Sequence, residues 1–282
     1  MNFKKEIDDF HYTFVDSFKR IKDNIKLFLA ASVLDIIFII VFGFVYGLFQ
    51  IKILEKLAEM TKLIMSRTQI MQMPQAEMIA AIAQNKTSFD SAFAAIILLL
   101  SFGLAVLFIL WSLFQSIVWK FCLKIAKTSA KKERYIPHLL KFSAASFFYF
   151  AFIVIIGYVA VRILLYNAMN PSSQIIPDFI TPIFLTISLV VIYFALISYA
   201  LLGQEKIRDI MKQSFLIGVK KIHFVLAAYA ATMILFIAAQ YIMEFASKIN
   251  IAALYITGIL ILIPLISWSR VFLTMNVEKI KK

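Results

Sequence analysis

The sequence has little of the material from which soluble, catalytic or disulfide-linked domains are built. Cys122 is its single cysteine, so the chain can form neither an internal disulfide nor a cysteine-based metal cluster. Charged residues are 16% of the chain, against about a quarter in typical soluble domains. Seven glycines and six prolines among 282 residues leave little sequence for flexible linkers. We expect the thiol to pack near the end of a span, with lipidation as the alternative.

Motifs that carry catalysis or bind metals are missing as well. The chain has no Gly-x-Ser-x-Gly, no His-Glu-x-x-His and no glycine-rich phosphate loop. His11, His138 and His223 each lack a second histidine or carboxylate at metal-ligand spacing. Ser129 and Lys132 match Ser-x-x-Lys, but a solvated lysine there stays protonated and cannot act as a base. We therefore expect no enzyme activity, no cofactor and no metal site.

Apolar residues, by contrast, are abundant. They make up 62% of the chain, against about 45–50% in soluble proteins, and the mean hydropathy is +0.88. At about 20 residues per crossing, this predicts an all-α polytopic membrane protein with six transmembrane helices. The predicted spans are 27–49, 92–118, 142–165, 179–202, 222–245 and 251–273.

The basic residues fall on alternate sides of these spans. Residues 1–26, 119–141, 203–223 and 270–282 hold 22 of the 29 lysines and arginines. Because such residues stay cytoplasmic in short loops, we predict both termini in the cytoplasm and a location in the cell membrane. The net charge of +13 should attract anionic lipid headgroups. Nucleic-acid binding is not expected, because no fold or motif for reading bases accompanies the charge.

The pattern of charge and hydropathy divides the chain into three parts. Residues 1–26 form an amphipathic interfacial helix, 27–273 the transmembrane domain and 274–282 a short basic tail. Within the domain, 50–91 is an outer loop, and 119–141 and 203–223 are inner loops. No uninterrupted apolar core precedes Leu27, so the opening segment is not expected to be a signal peptide.

Amphipathic patterns recur on the predicted inner side. In the opening helix, apolar residues spaced by three and four predict phenylalanines lying among the acyl chains, with a coiled-coil seam as the alternative. They are Phe3, Ile7, Phe10, Phe14, Phe18, Ile21 and Ile25. A second stripe, expected to contact lipid headgroups, consists of Lys120, Lys124, Lys127 and Lys131. The helix predicted over 205–218 is interpreted, like the lysine stripe, as an interfacial helix with a solvated face. The alternative is that 119–141 or 203–223 is the contact for a soluble cytoplasmic partner, and a homo-oligomer is a further candidate.

An internal duplication is visible when residues 17–34 are placed over 214–231. Six of eighteen positions are identical. Each window is an amphipathic helix that leads into an outward-going span, so a repeated unit explains the match. The basic loop before the third span makes three such units conceivable.

The outer loop 50–91 is the longest predicted segment outside the membrane. Amphipathic patterns predict a helix from Ile51 to Met65 and a second from Met78 to Ala83 after Pro74. Met71 and Met73 have a spacing that suits Cu(I), although flexible apolar packing is the preferred interpretation. Asn85 begins an Asn-Lys-Thr glycosylation sequon on the predicted outer face.

Asp35 is the most informative single residue. It lies about 12 Å inside the predicted first span, where a carboxylate is costly and usually faces a bundle interior or a wet cavity. Arg270, near the inner end of the sixth span, is its expected partner. We interpret Asp35 either as a helix-packing residue or as part of a substrate or proton site. Other polar residues at this depth are Ser112, Gln115, Ser116, Ser198, Tyr199, Ser267 and Ser269.

Pro264 lies within the sixth span. A proline frees a backbone carbonyl, so we expect a kink in this helix.

The order of parts, together with Gln204-Glu205-Lys206 and Ser214, resembles a group of six-helix membrane proteins. The group includes the membrane domain beside some glycerophosphodiester phosphodiesterases and the bacterial inner-membrane proteins of the YciC type. The resemblance implies a fold but no activity. We expect a permease-like component for a small molecule or lipid, with a separate soluble subunit as a candidate source of energy. A scaffold that assembles partners or shapes the bilayer is the alternative.

The predicted orientation can be tested by single-cysteine labelling on a Cys122-free background. A membrane-impermeant maleimide should label Ile70→Cys from outside and leave Lys132→Cys and Lys212→Cys unmodified until the membrane is opened. Labelling of Lys132→Cys in sealed cells would contradict the orientation.

Overall fold

In a computed structural model, the backbone is described for residues 3–70, 75–127, 134–169, 177–203 and 206–281. Within these ranges, the side chains of 3–7, 64–70, 75–85, 161, 164–169 and 177–180 are not described. Predictions that concern Met71, Met73, Asn85, Lys131 and Glu205 therefore lie outside the described side chains.

The described secondary structure is entirely helical. Six helices are long and apolar enough to cross a membrane, which confirms the predicted all-α class and the number of spans. The helices are α1 (Phe3–Asp23), α2 (Ile25–Ile70), α3 (Gln75–Ala126), α4 (Tyr135–Met169), α5 (Pro177–Leu201), α6 (Ile207–Lys220), α7 (Ile222–Ile249), α8 (Ile251–Thr257) and α9 (Ile263–Lys281).

Helices α2 and α3 run through most of the segment that the sequence predicted as an outer loop. With 46 and 52 residues they are about 69 and 78 Å long, whereas a bilayer with its headgroups is about 40–45 Å thick. The separate helix predicted from Ile51 is instead a continuation of α2. The physical reason is that glycine and proline are absent between Gly47 and Pro74 and between Pro74 and Gly103.

Residues 37–111 form one compact unit, made of parts of α2 and α3. Its helices meet through aromatic rings: Phe38 lies 5.8 Å from Trp111, and Phe49 lies 5.9 Å from Phe102. Gly103 permits close approach, because a Cβ at this position would lie 3.1 Å from the Phe49 ring.

Residues 1–36 and 112–282 form the second unit, which holds the functional candidates. In this unit α4 packs on α5, and α9 contacts α1, α5 and α7. Helix α6 lies against α5 so closely that a Cβ on Gly218 would lie 2.5 Å from the Phe194 ring. Its Ile210, Ser214 and Gly218 are buried on the face that the sequence predicted as apolar, whereas Phe215 of that face is 46% exposed. The turn between α5 and α6 uses Gly203 at φ 101°, a conformation that favours glycine.

A π turn at Gly258–Leu262 joins α8 to α9. The N–H of Ile263 donates to the carbonyl of Gly258, five residues back. Pro264 follows directly and has no N–H to donate to Leu260. The helix distortion expected from Pro264 is thus present, but it takes the form of a π turn on the N-terminal side of the proline.

Two phenylalanines of helix α1 pack against aromatic side chains of α9. Phe14 lies 5.6 Å from Trp268 and 5.5 Å from Phe272, both on α9, and Phe10 lies 5.7 Å from Phe272. The Trp268 indole also donates to Ser17 Oγ at 2.9 Å. The expectation that these phenylalanines lie among acyl chains is therefore wrong for Phe10 and Phe14.

The duplicated windows have matching burial. Ser17 and Ser214 are both fully buried, and each donates to the carbonyl three residues earlier. In both windows one residue separates the amphipathic helix from the following span. Further pairs with nearly equal exposure are Phe18 and Phe215, Ile25 and Ile222, Leu29 and Leu226, and Ala31 and Ala228. The two windows are thus used in the same way in the fold.

The packing of α1 on α9 predicts that Phe14→Ala destabilises the protein by about 2–3 kcal/mol, somewhat below the cost for a fully buried phenylalanine. The measurement is thermal unfolding in detergent. Val15→Ala on the same helix is the control, because Val15 is 53% exposed and should matter little. Equal destabilisation by the two substitutions would contradict the packing.

Candidate functional site

The predicted pair of Asp35 and Arg270 is present in the structure. Asp35 is on α2 and Arg270 on α9, and Arg270 Nη1 lies 2.5 Å from Asp35 Oδ2. The Asp35 side chain is 4% exposed and that of Arg270 13% exposed. Both residues lie within apolar helices able to span a membrane. Burial of two ions at such a site requires close pairing, because each alone would be strongly unfavourable.

Gln115 of α3 closes a ring with the two ions. Its amide nitrogen donates to Asp35 Oδ1 at 3.1 Å, and its amide oxygen accepts from Arg270 Nη2 at 2.9 Å. Ser267 donates to Asp35 Oδ2 at 3.2 Å and lies 3.3 Å from the Ser32 hydroxyl. Three of the six residues predicted near Asp35 from the second and sixth spans, namely Gln115, Ser267 and Arg270, are therefore brought together here. We name Asp35, Gln115, Ser267 and Arg270 the ion-pair ring.

The ring leaves the Asp35 carboxylate fully engaged. It has three hydrogen-bond partners, one on Oδ1 and two on Oδ2. With its side chain almost wholly buried, Asp35 has the environment of a helix-packing residue, the first of the two interpretations made from the sequence. Arg270 is the more accessible member of the pair.

Ser198 and Ser112 do not join the ion-pair ring as predicted. Ser198 lies 2.7 Å from the Tyr149 hydroxyl, which is also 3.3 Å from Ser214. Ser112 Oγ is buried without a hydrogen-bond partner in the described part of the chain. The single polar layer expected from the sequence is therefore two separate clusters.

Tyr149 was missed as a site residue in the sequence analysis. It lies three residues after Ser146 on α4, and Ser146 is hydrogen-bonded to Tyr199 at 3.0 Å. This spacing puts both polar groups on one face of an otherwise apolar helix, and that pattern was available in the sequence.

The predicted lipid-contacting lysines have different environments. Lys124 is exposed, and Lys120 lies 5.6 Å above the Tyr135 ring. Lys127 is 4% exposed, lies 3.4 Å from Glu278 and donates to the Leu202 carbonyl. Because α3 continues straight into the core up to Ala126, Lys127 is buried there, and the predicted headgroup contact is wrong for this residue.

Arg270 also lines a cavity of about 210 Å³ between α3, α5, α7 and α9. Apart from Arg270, Ser269 and Thr232, the cavity is lined by apolar and aromatic side chains. They include Trp119, Leu196, Tyr229 and Met233. We name it the Arg270 cavity. An apolar space with one ionic group at its wall suits a molecule with both apolar and polar parts.

Among the side chains that the structure describes, no cluster of three or more His, Cys, Asp and Glu has the arrangement of a metal site. Comparisons with known protein families, with curated proteins and with solved structures find no match to this chain. The resemblance to the six-helix group stays a prediction, and function has to be argued from the ion-pair ring and the Arg270 cavity.

The ion-pair ring predicts a specific order of stabilities. Asp35→Ala should destabilise the protein by about 3–5 kcal/mol, because it leaves the Arg270 guanidinium buried and unpaired. The double variant Asp35→Ala/Arg270→Ala should be less destabilised, since no lone charge remains. Thermal unfolding in detergent measures the order.

Asp35→Asn separates the two interpretations of this residue. If Asp35 packs helices, the neutral amide should be destabilising, because its NH₂ group meets the donors that now point at the carboxylate. Asp90→Asn is the control, since Asp90 is exposed on α3. An Asp35→Asn protein as stable as the control would instead support a wet substrate or proton site.

Proposed function

We propose that this protein is a non-catalytic, permease-like component that handles a lipid or a small amphiphile within the cell membrane. One observation carries the proposal: an arginine held by a buried carboxylate lines an apolar cavity among membrane-spanning helices. Ionisable residues at such depth are rare and are usually functional.

The proposed orientation places both termini in the cytoplasm. It follows from the concentration of lysine and arginine on one side of the spans. In this orientation the ion-pair ring and the Arg270 cavity lie in the cytoplasmic half of the membrane. The cavity is then open to lipids of the leaflet whose headgroups meet Lys120 and Lys124.

Helix α6 is the proposed interfacial element and the docking surface for a soluble energising subunit. Its exposed residues include Phe215, Leu216 and Val219, which suit the acyl boundary. Arg208 and Lys212 are also exposed and offer charge toward the cytoplasm. Buried Ile210 and Ile217 fix α6 to the bundle, so a force on α6 would reach the spans.

A scaffold function is the second candidate, and the lengths of α2 and α3 favour it. Each helix exceeds the thickness of a bilayer by some 25 Å or more. Extra helix of this length is unnecessary for crossing the membrane, but it provides a surface on which partners assemble.

Affinity purification in a mild detergent, followed by protein identification and lipid mass spectrometry, tests these two functions. A permease should retain a soluble ATPase, a tightly bound lipid or a small ligand. Charge reversal by Arg208→Glu/Lys212→Glu should release the soluble subunit, whereas Lys248→Glu, at the far end of α7, should not. Recovery of membrane partners alone, without ligand or ATPase, would favour the scaffold.

A further inference from the structure

We propose that the Arg270 cavity binds a glycerolipid, with a segment of one acyl chain inside the cavity and an ester carbonyl on the Arg270 guanidinium. This inference rests on the proposed function and names its ligand class. In the ion-pair ring Arg270 has a structural partner, Asp35. The inference adds that Arg270 also binds an external ligand.

The cavity has the surroundings of an acyl-chain site. Met233 on its rim is 60% exposed and lies 11 residues after Ile222, about 16 Å along α7. At this depth a spanning helix faces hydrocarbon, because the apolar core of a bilayer is about 30 Å thick. A cavity of about 210 Å³ exceeds the roughly 150 Å³ apolar cavity that accepts benzene. Left empty, it would lose the dispersion contacts that a chain of methylenes restores.

Arg270 has hydrogen-bond capacity to spare. A guanidinium has five N–H donors, and two of them are used, on Asp35 and Gln115. The other three have no hydrogen-bond acceptor among the side chains and backbone that the structure describes. Trp119, 6.0 Å away, offers a ring face to the cation. Arg270 therefore stands at the cavity wall with donors for an oxygen acceptor.

The charge balance selects a neutral acceptor. Asp35 already cancels the charge of Arg270, so a bound anion would bring an uncompensated negative charge into the membrane. An ester carbonyl accepts the same hydrogen bonds without that cost. The Arg270 guanidinium lies beside Asp35, about 12 Å inside the predicted inner end of the first span. A lipid would therefore sink into the cavity until its ester reaches this level, below the position that esters take in the bilayer.

Three spans carry residues at the same helical spacing, and those of α7, of which only Val225 and Ala228 are buried, include wall residues of the Arg270 cavity. Counting from the first, residues at +3, +4 and +7 follow, and the sets are Phe28, Ala31, Ser32 and Asp35 on α2, Phe142, Ala145, Ser146 and Tyr149 on α4, and Val225, Ala228, Tyr229 and Thr232 on α7. The first two sets are buried throughout.

The last position of each set meets a different partner. On α2, Asp35 bonds to Gln115 of the next span, and on α4, Tyr149 bonds to Ser198 of the next span. On α7, Thr232 donates to Ala228 of its own helix at 2.9 Å and bonds to no residue of another span. It is smaller than Tyr149, the residue at the matching position of α4, and it lines the Arg270 cavity.

Quenching of tryptophan fluorescence tests the proposal on the full chain. Trp111→Phe and Trp268→Phe leave Trp119 as the one tryptophan, at the cavity wall. Titration in detergent with a phosphatidylcholine brominated on its acyl chain should give saturable quenching. The same lipid with ether linkages lacks the carbonyls and should bind about tenfold more weakly, because a hydrogen bond to a charged group is lost.

Two substitutions on α7 make the matched comparison. Thr232→Phe should fill the cavity and abolish saturable quenching. Ile234→Phe adds the same ring to a residue that is 66% exposed, so it should leave binding unchanged. Arg270→Lys retains a cation for Asp35 but removes the planar donors, so it should reduce ester-lipid binding to the level of the ether lipid. Monodisperse elution and thermal unfolding identify variants that do not fold.

Three results would overturn the inference. Equal quenching in the Thr232→Phe and Ile234→Phe proteins would show that the lipid lies elsewhere. Equal binding of ester and ether lipids would show that Arg270 does not donate a hydrogen bond to the ester carbonyl. Tighter binding of brominated oleate than of the phospholipid would make the ligand an anion. A fourth result separates this inference from the proposed function. If the protein binds the ester lipid saturably but purifies without an energising subunit or a transported ligand, the lipid site is supported and the permease function is contradicted.

Discussion

Burial of the Asp35 carboxylate among apolar helices is the constraint on which the arrangement of the second unit depends. An ion in this position must meet its counter-ion at short range, and its remaining lone pairs need donors. The required groups come from α9 as Arg270 and Ser267 and from α3 as Gln115. Because all three must reach one carboxylate, α2, α3 and α9 can pack in only one rotational and axial register.

Fixing α9 in this way also determines the contacts of its other face. Trp268 and Phe272 follow Ser267 and are directed to α1, where Phe14 and Ser17 contact them. Near the end of the same helix, Lys279 lies 2.9 Å from Asp9 of α1. Helix α1 is therefore held by aromatic, hydrogen-bonding and ionic contacts with α9, and its Arg20 also donates to the Ala126 carbonyl of α3. The same sequence pattern on α6 is satisfied by α5, so related helices are attached to different partners.

The features that could be predicted from sequence are those that depend on a residue's need for an apolar or ionic environment. The six spans and the Asp35–Arg270 pair belong to this class, because the hydropathy and the charge of a residue directly indicate the environment it requires. The identity of the partner is harder. Phe14 needs an apolar neighbour, and lipid and Trp268 both satisfy that need, so periodicity could not distinguish them.

Continuity of helices caused the other errors. A hydropathy window ends a span where polar residues begin, but a helix continues until a backbone signal stops it, and α2 has none before Pro74. In the same way α3 continues to Ala126, and Lys127 directly after it lies in the core beside Glu278 instead of at the membrane surface. Ser198 was assigned to the wrong cluster because its depth was read correctly while its facing helix, with Tyr149, was unknown.

The ion-pair ring and the Arg270 cavity are physically linked. A free arginine near the end of a span would extend toward the headgroups, where its charge is hydrated. Asp35 and Gln115 prevent this by holding two of its nitrogens, so the guanidinium stays at the cavity wall with a fixed orientation. Asp35 itself does not line the cavity. It influences the cavity by determining where the N–H donors of Arg270 point. A membrane protein can thus use a buried, structural ion pair to present a polar group to a ligand in hydrocarbon.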